Sequence, residues 1–158
     1  MSINRFSWQV RPVALPENMI TGEQYRFTVL TPCLIRMEYA SDGYFEDRAS
    51  QTAFYRDFPQ CKFSLEILGE TLILQTDSLQ LTYEVNRVFT EETLKIKLRN
   101  EPASTWRYGE AFEDLGGTTR TLDGINGACA LERGIISRNG FSVLDDSNTL
   151  VLEQDGWI

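Results

Sequence analysis

The stretch Leu79-Gln80-Leu81-Thr82-Tyr83-Glu84-Val85 puts an apolar residue at every second position. In an extended chain successive side chains point to opposite faces, so this spacing gives one apolar face and one wetter face. The same period recurs on both sides of it. Upstream, Tyr25, Phe27 and Val29 alternate with Gln24, Arg26 and Thr28, and Cys33, Ile35, Met37 and Tyr39 alternate with Leu34, Arg36 and Glu38. Phe63, Leu65 and Ile67 alternate with Lys62, Ser64 and Glu66, and downstream Leu94, Ile96 and Leu98 enclose Lys95 and Lys97. Leu68-Gly69-Glu70 separates two such runs at hairpin distance, and Thr76-Asp77-Ser78 closes another. Thr31-Pro32 breaks the first pair, since proline lacks the N–H that a central strand needs. No stretch carries a convincing helical period. Residues 126–133 have room for one helical turn, but Gly127 and Gly134 confine it. Short strands separated by turns predict an all-β fold, an antiparallel β-sandwich, over residues 1–158 as a single domain. Residues 40–60 and 107–128 read as longer connections, the first aromatic and charged, the second rich in Gly and Thr.

The chain has 158 residues, enough for one domain with a real core. It carries 23 Asp and Glu against 15 Lys and Arg, a formal charge of -8. That field repels polyphosphates, so a nucleic-acid partner is not expected. There is no histidine, which removes histidine bases, histidine metal sites and Ser-His-Asp triads from this chain. Cys33, Cys61 and Cys129 are odd in number, widely spaced and without a CxxC motif. Reduced thiols and a cytoplasmic location follow more simply than a disulfide framework. The opening residues MSINRFSWQVRP lack the pattern of a signal peptide, and no apolar run nears the ~20 residues that span a bilayer. No membrane partner and no cofactor are expected.

The polar segment Leu115-Gly116-Gly117-Thr118-Thr119-Arg120-Thr121-Leu122-Asp123-Gly124 is the most informative candidate site. Its glycines have neither the GxGxxG nor the GxxxxGK[ST] spacing of a phosphate loop, and no helical pattern follows. It reads either as a structured turn held by Thr and Asp side chains or as a sugar-binding loop. In the second case the Asp123 carboxylate accepts from sugar hydroxyls and the Arg120 guanidinium donates to them. Asp145-Asp146 precedes Ser147-Asn148 and reads as a turn, because neighbouring strand residues point apart and do not converge on one bond. Asp42-Gly43 reads as a turn entering an extended segment. Glu46 and Asp47 lack the ligand ladder of a calcium loop. Trp8, Trp106 and Trp157 are weighed as sugar-stacking platforms against the commoner role of core or interface aromatics.

Several separated blocks resemble glycoside hydrolase family 31. They are residues 25–39 (YRFTVLTPCLIRMEY), 43–52 (GYFEDRASQT), 115–124 (LGGTTRTLDG), 134–141 (GIISRNGF) and 143–147 (VLDDS). The resemblance implies a galactose-mutarotase-like (supersandwich) N-terminal domain preceding a (β/α)8 barrel. It implies a retaining, exo-acting enzyme of α-glucosidase or α-xylosidase type, acting on an α-linked oligosaccharide or glycoside, with both catalytic aspartates in the barrel. Residues 1–158 are then an N-terminal fragment, inactive alone, whose partner is its own C-terminal barrel. Many members carry a Trp-Asn-Arg-Asp-like segment here whose Asp binds sugar hydroxyls. Arg120-Thr121-Leu122-Asp123 occupies the matching place, so the role passes to Asp123, although the Trp and Arg of that segment are not kept.

Three functions follow for comparison: this N-terminal domain, a freestanding carbohydrate-binding module, and a sugar epimerase of the mutarotase-like fold. The module requires an aromatic platform. The epimerase requires acid and base groups that a chain without histidine lacks.

Overall fold

The alternating apolar residues meet between two antiparallel sheets. The computed structural model describes residues 9–100, 104–117 and 123–153. A 3-10 turn, Pro16–Asn18, leads into β1 (Met19–Thr21), β2 (Tyr25–Thr31) and β3 (Leu34–Tyr39). These pair in the order β1-β2-β3. Then come β4 (Ser64–Leu68), β5 (Thr71–Gln75), β6 (Leu79–Glu84), β7 (Leu94–Leu98) and β8 (Thr105–Arg107), paired in sequence order as a second sheet. Every pairing between these strands is antiparallel, so the fold is the expected all-β antiparallel sandwich. Residues 126–133 form no helix. Among the described residues no helix is long and apolar enough to cross a membrane.

The core joins Tyr25, Phe27 and Val29 of β2 to Leu72, Leu74, Leu81 and Tyr83 of the larger sheet, with Phe89 and Leu94. Its centre is aromatic. Tyr83 meets Tyr25 at 5.0 Å and Phe27 at 5.3 Å between ring centroids, both edge-on. Phe89 stacks on Phe27 at 5.8 Å. Tyr83 sends its hydroxyl to the Arg87 carbonyl at 2.5 Å, which satisfies the one polar atom of a buried ring. Burial pushes that phenol up to about 12.

Two strands depart from a simple wet-face, dry-face alternation. In β2 the even residues Arg26, Thr28 and Leu30 are buried as well, because residues 40–60 cross the outer face of the small sheet instead of looping into solvent. Arg26 there bonds Glu38, Asp47 and the Glu46 carbonyl. Strand β4 departs the other way. Leu65 and Ile67 pair with the buried Leu74 and Leu72 and so share the inner face, yet they are 44% and 56% exposed. Three strands do not cover the inner face of five.

The chain divides into two compact units, one of Met1–Tyr108 and Asp146–Ile158, the other Gly109–Asp145. The first holds the sandwich. The second is built on an irregular antiparallel pairing: Leu115 N–H donates to Ile136 O at 2.9 Å and Arg138 N–H to Glu113 O at 2.9 Å.

The Phe27→Ala variant is expected to lose about 3–5 kcal/mol, the range for emptying a buried aromatic site. Leu65→Ala, on the uncovered part of the same inner face, is expected to lose about 1 kcal/mol. Urea unfolding of both variants checks the contrast.

Candidate functional site

The polar loop singled out in the sequence lies in the unit Gly109–Asp145. Its anchor is Asp114. One carboxylate oxygen of Asp114 accepts the N–H of Gly116 at 2.8 Å and that of Gly134 at 3.0 Å. These backbone bonds hold the carboxyl below its ordinary pKa, so it stays ionised. Gly117 N–H donates to Glu132 O at 2.6 Å, close enough that a Cβ on Gly117 would sit 2.8 Å from the same oxygen. A Cβ on Gly134 would overlap the Gly116 carbonyl. The glycines therefore serve the close approach of two backbones. No helix among the described residues follows them, in keeping with the absence of a phosphate-loop spacing.

Asp123 is exposed in a turn with Gly124, whose φ of 75° is the left-handed conformation that favours glycine. Arg120 lies outside the described residues, as do Trp8 and Trp157. Trp106 is 4% exposed on β8 and belongs to the interior, with Tyr108 at 6.1 Å, so it offers no stacking platform.

The other carboxylates have structural employment in the sandwich unit. Tyr44 N–H donates to Asp42 Oδ1 at 3.1 Å, making the expected turn. Glu46 is paired with Arg48 at 2.6 Å, which lowers its carboxyl to about 2, and Asp47 with Arg26 at 2.7 Å. Among the described residues no cluster of Asp, Glu and Cys is arranged to hold a metal ion. Asp146 accepts from Ser50 Oγ at 2.8 Å and from Thr52 Oγ1, with the buried Arg56 guanidinium 3.9 Å away. Burial pushes the Asp146 carboxyl up. The hydrogen bonds from Thr52, Ser50 and Thr149 and the charge of Arg56 together bring it below its ordinary value. Ser147 and Asn148 form the turn beyond it, and Thr149 N–H closes back on Asp146 O at 3.2 Å.

Sequence reasoning overlooked the arginine layer beneath these groups. Arg56 donates to the carbonyls of Arg48 and Pro12 at 2.8 and 3.3 Å and to Ser50 Oγ at 3.3 Å. Arg36 bonds Glu38 at 2.8 Å and the Glu46 carbonyl at 3.0 Å. Desolvation lowers the pKa of both guanidiniums. For Arg26 and Arg56 the available signal was arginine among aromatics, as in Tyr25-Arg26-Phe27 and Tyr55-Arg56-Asp57-Phe58, and Arg36, between Ile35 and Met37, carried no such mark. Asp114 was overlooked too, and its signal was the Asp-x-Gly spacing that suits a side-chain-capped turn.

No protein-family model matches the chain, and a search of curated proteins finds no match either.

Asp146 has a folded pKa below its unfolded one, so its stabilisation is complete above the unfolded carboxylate range near about 3.9 and is lost as pH falls through the folded value. Asp146→Asn is therefore expected to cost about 1–2 kcal/mol at pH 7, with the gap to wild type closing near pH 3, as read from urea midpoints. Gly134→Ala is expected to release the Leu115–Ile136 pairing while the sandwich stays folded, seen as faster amide exchange at 114–117 and 132–138 with the amides of β2 and β6 unchanged.

Proposed function

We propose that the chain is the galactose-mutarotase-like N-terminal domain of a retaining, exo-acting α-glycosidase related to glycoside hydrolase family 31. In this reading it shapes the sugar-binding entrance and contributes no catalytic residue. The observation that carries the reading is the character of the unit Gly109–Asp145. Leu115, Leu131, Ile135 and Ile136 are 57%, 56%, 73% and 67% exposed on the two paired segments of that unit. Leu131 lies beside Gly116, so exposed apolar side chains occur on both faces of the pairing. Exposed apolar residues on a short, backbone-tied unit suit a surface that another protein surface covers. The domain's own C-terminal barrel is the partner in this reading. The same unit carries Asp123 on an exposed turn, and the role of its carboxylate as acceptor for the hydroxyls of an α-linked oligosaccharide or glycoside rests on the resemblance. The role of Arg120 as a donor to the same sugar rests on the sequence alone.

Trp106 is buried and gives the competing reading, a freestanding carbohydrate-binding module, no stacking platform. A cytoplasmic setting is part of the proposal. It is supported by Cys33, Cys61 and Cys129 all being free thiols.

The purified 158-residue chain is expected to leave aryl α-glucosides uncleaved, and turnover beyond any contaminant would overturn the reading. In a longer chain that includes the barrel, Asp123→Ala is expected to lower kcat/KM for an α-linked disaccharide by about tenfold or more, about 1.4 kcal/mol of transition-state binding. An unchanged kcat/KM would make the turn purely structural.

A further inference from the structure

Cys33 and Cys61 are free thiols of the sandwich unit, and the fold carries both to the same end of it. We propose that they are a redox-responsive pair: a small-molecule disulfide converts them to a Cys33–Cys61 bridge that clasps the small sheet to the segment entering β4. The proposal stands apart from the glycosidase reading.

Cys33 lies in the short turn Pro32-Cys33 between β2 and β3, where Thr31 pairs with Leu34. That turn rests on the β5–β6 turn, Thr76-Asp77-Ser78. Thr76 Oγ1 donates to Pro32 O at 2.6 Å, and the Cys33 thiol donates to Ser78 Oγ at 3.2 Å. Cys61 approaches the same turn from the larger sheet. It stands just before Ser64, the first residue of β4, and Ser64 pairs with Gln75, which leads into Thr76. Asn18, fully buried, fixes it there. Cys61 N–H donates to Asn18 Oδ1 at 2.8 Å, and Asn18 Nδ2 donates to Pro59 O at 3.1 Å. The Cys61 side chain is half-buried against the core. Burial pushes its thiol up, and the charges of Asp77 and Cys33 push it further, so the two sulfurs lie within each other's field.

The surroundings of the two thiols assign their roles. Cys33 is exposed and meets the reagent first. With oxidised glutathione as the reagent, the Cys33 thiolate attacks one sulfur, a mixed disulfide forms, and one glutathione thiolate leaves. Cys61 is half-buried and is the slower nucleophile towards a reagent in solution. It attacks the Cys33 sulfur of the mixed disulfide after giving its proton to water, and the second glutathione leaves as a thiolate that takes up a proton. Two protein thiols are thereby oxidised, and one oxidised glutathione is reduced to two thiols. The competing use of paired thiols is metal capture, and among the described residues no third Cys, Asp or Glu is arranged to join them. The bridge exchanges the Cys33–Ser78 contact for a covalent tie between the sheets, which restricts the unfolded chain and stabilises the sandwich. The clasp is open in a reducing thiol pool and closes as the pool is oxidised.

The test is a titration of the folded 158-residue chain with mixtures of reduced and oxidised glutathione, read by intact mass, non-reducing peptide mapping and thermal melting. The expected result is a single chain lighter by two hydrogens, with a linked peptide joining Cys33 to Cys61. Its Tm should rise by about 5 °C or more, and dithiothreitol should return it to the reduced state. Cys61→Ser should trap glutathione on Cys33, Cys33→Ser should leave Cys61 unmodified over the same time, and Cys129→Ser should bridge as the wild type does. The proposal is overturned if Cys33 and Cys61 each carry a separate glutathione with no linked peptide. It is equally overturned if the linked peptides join Cys129 or two chains in preference to the pair, or if the bridged chain melts no higher than the reduced one.

Discussion

The guanidinium of Arg26 ties the segment that crosses the small sheet to its central strand. It sits on the central strand of the small sheet with its side chain 8% exposed, bonded to Glu38 at 2.7 Å and to Asp47 at 2.7 Å. Desolvation opposes its charge, and the bonds to Glu38 and Asp47 outweigh that and raise its pKa. The ring of Phe45 lies 4.9 Å from it and closes the site from the far side. A buried charge is tolerated only when it is paired and bonded, and an unpaired one costs several kcal/mol. Arg26 therefore holds the 45–47 segment across the sheet. With that segment in place, Arg56 is buried and Arg36 half-buried under it, and they are paired with Asp146 and Glu38 in turn. The return of residues 146–152 follows from the same need. Gln51 N–H donates to Leu150 O at 2.8 Å and Leu152 N–H to Ala49 O at 2.8 Å, which lays the returning chain along the covering segment.

The strands were legible because their inner faces repeat at two residues, and the buried set Tyr25, Phe27, Val29, Leu79, Leu81 and Tyr83 is the alternating set. Strands β1 and β8 have three residues each, too few for a period to emerge. What period two cannot convey is how many layers cover a strand. Arg26 occupies a polar position of the alternation and is buried, while Leu65 occupies an apolar position and is half exposed. Both outcomes depend on what packs above the strand, which lies elsewhere in the chain. The pairing of Asp146 with Ser50 spans 96 residues and left no local mark beyond two adjacent aspartates.

In the candidate site the glycines and Asp123 were visible as residue types. The purpose of the glycines was not, because Gly117 and Gly134 answer to backbone atoms of distant residues. Glu113 and Arg138 are 25 residues apart by number and meet only through the irregular pairing of the arm. No spacing rule connects them. The proposed sugar chemistry rests on blocks of resemblance, which locate a segment in a fold without saying which of its side chains meet.

Strand β4 has a further consequence. Among the described residues it pairs with β5 alone, so one side of its backbone presents open N–H and C=O groups beside Leu65, Ile67 and Leu68. Such a rim is a template on which another chain can continue the sheet, the first step of ordered aggregation. Lys62, Glu66 and Glu70 punctuate it with charge, the usual gatekeepers of an apolar strand. Glu66 also sets like charge against like in an antiparallel self-pairing centred on that residue. The edge thus keeps the apolar inner face the sandwich needs and carries charges that discourage its own propagation.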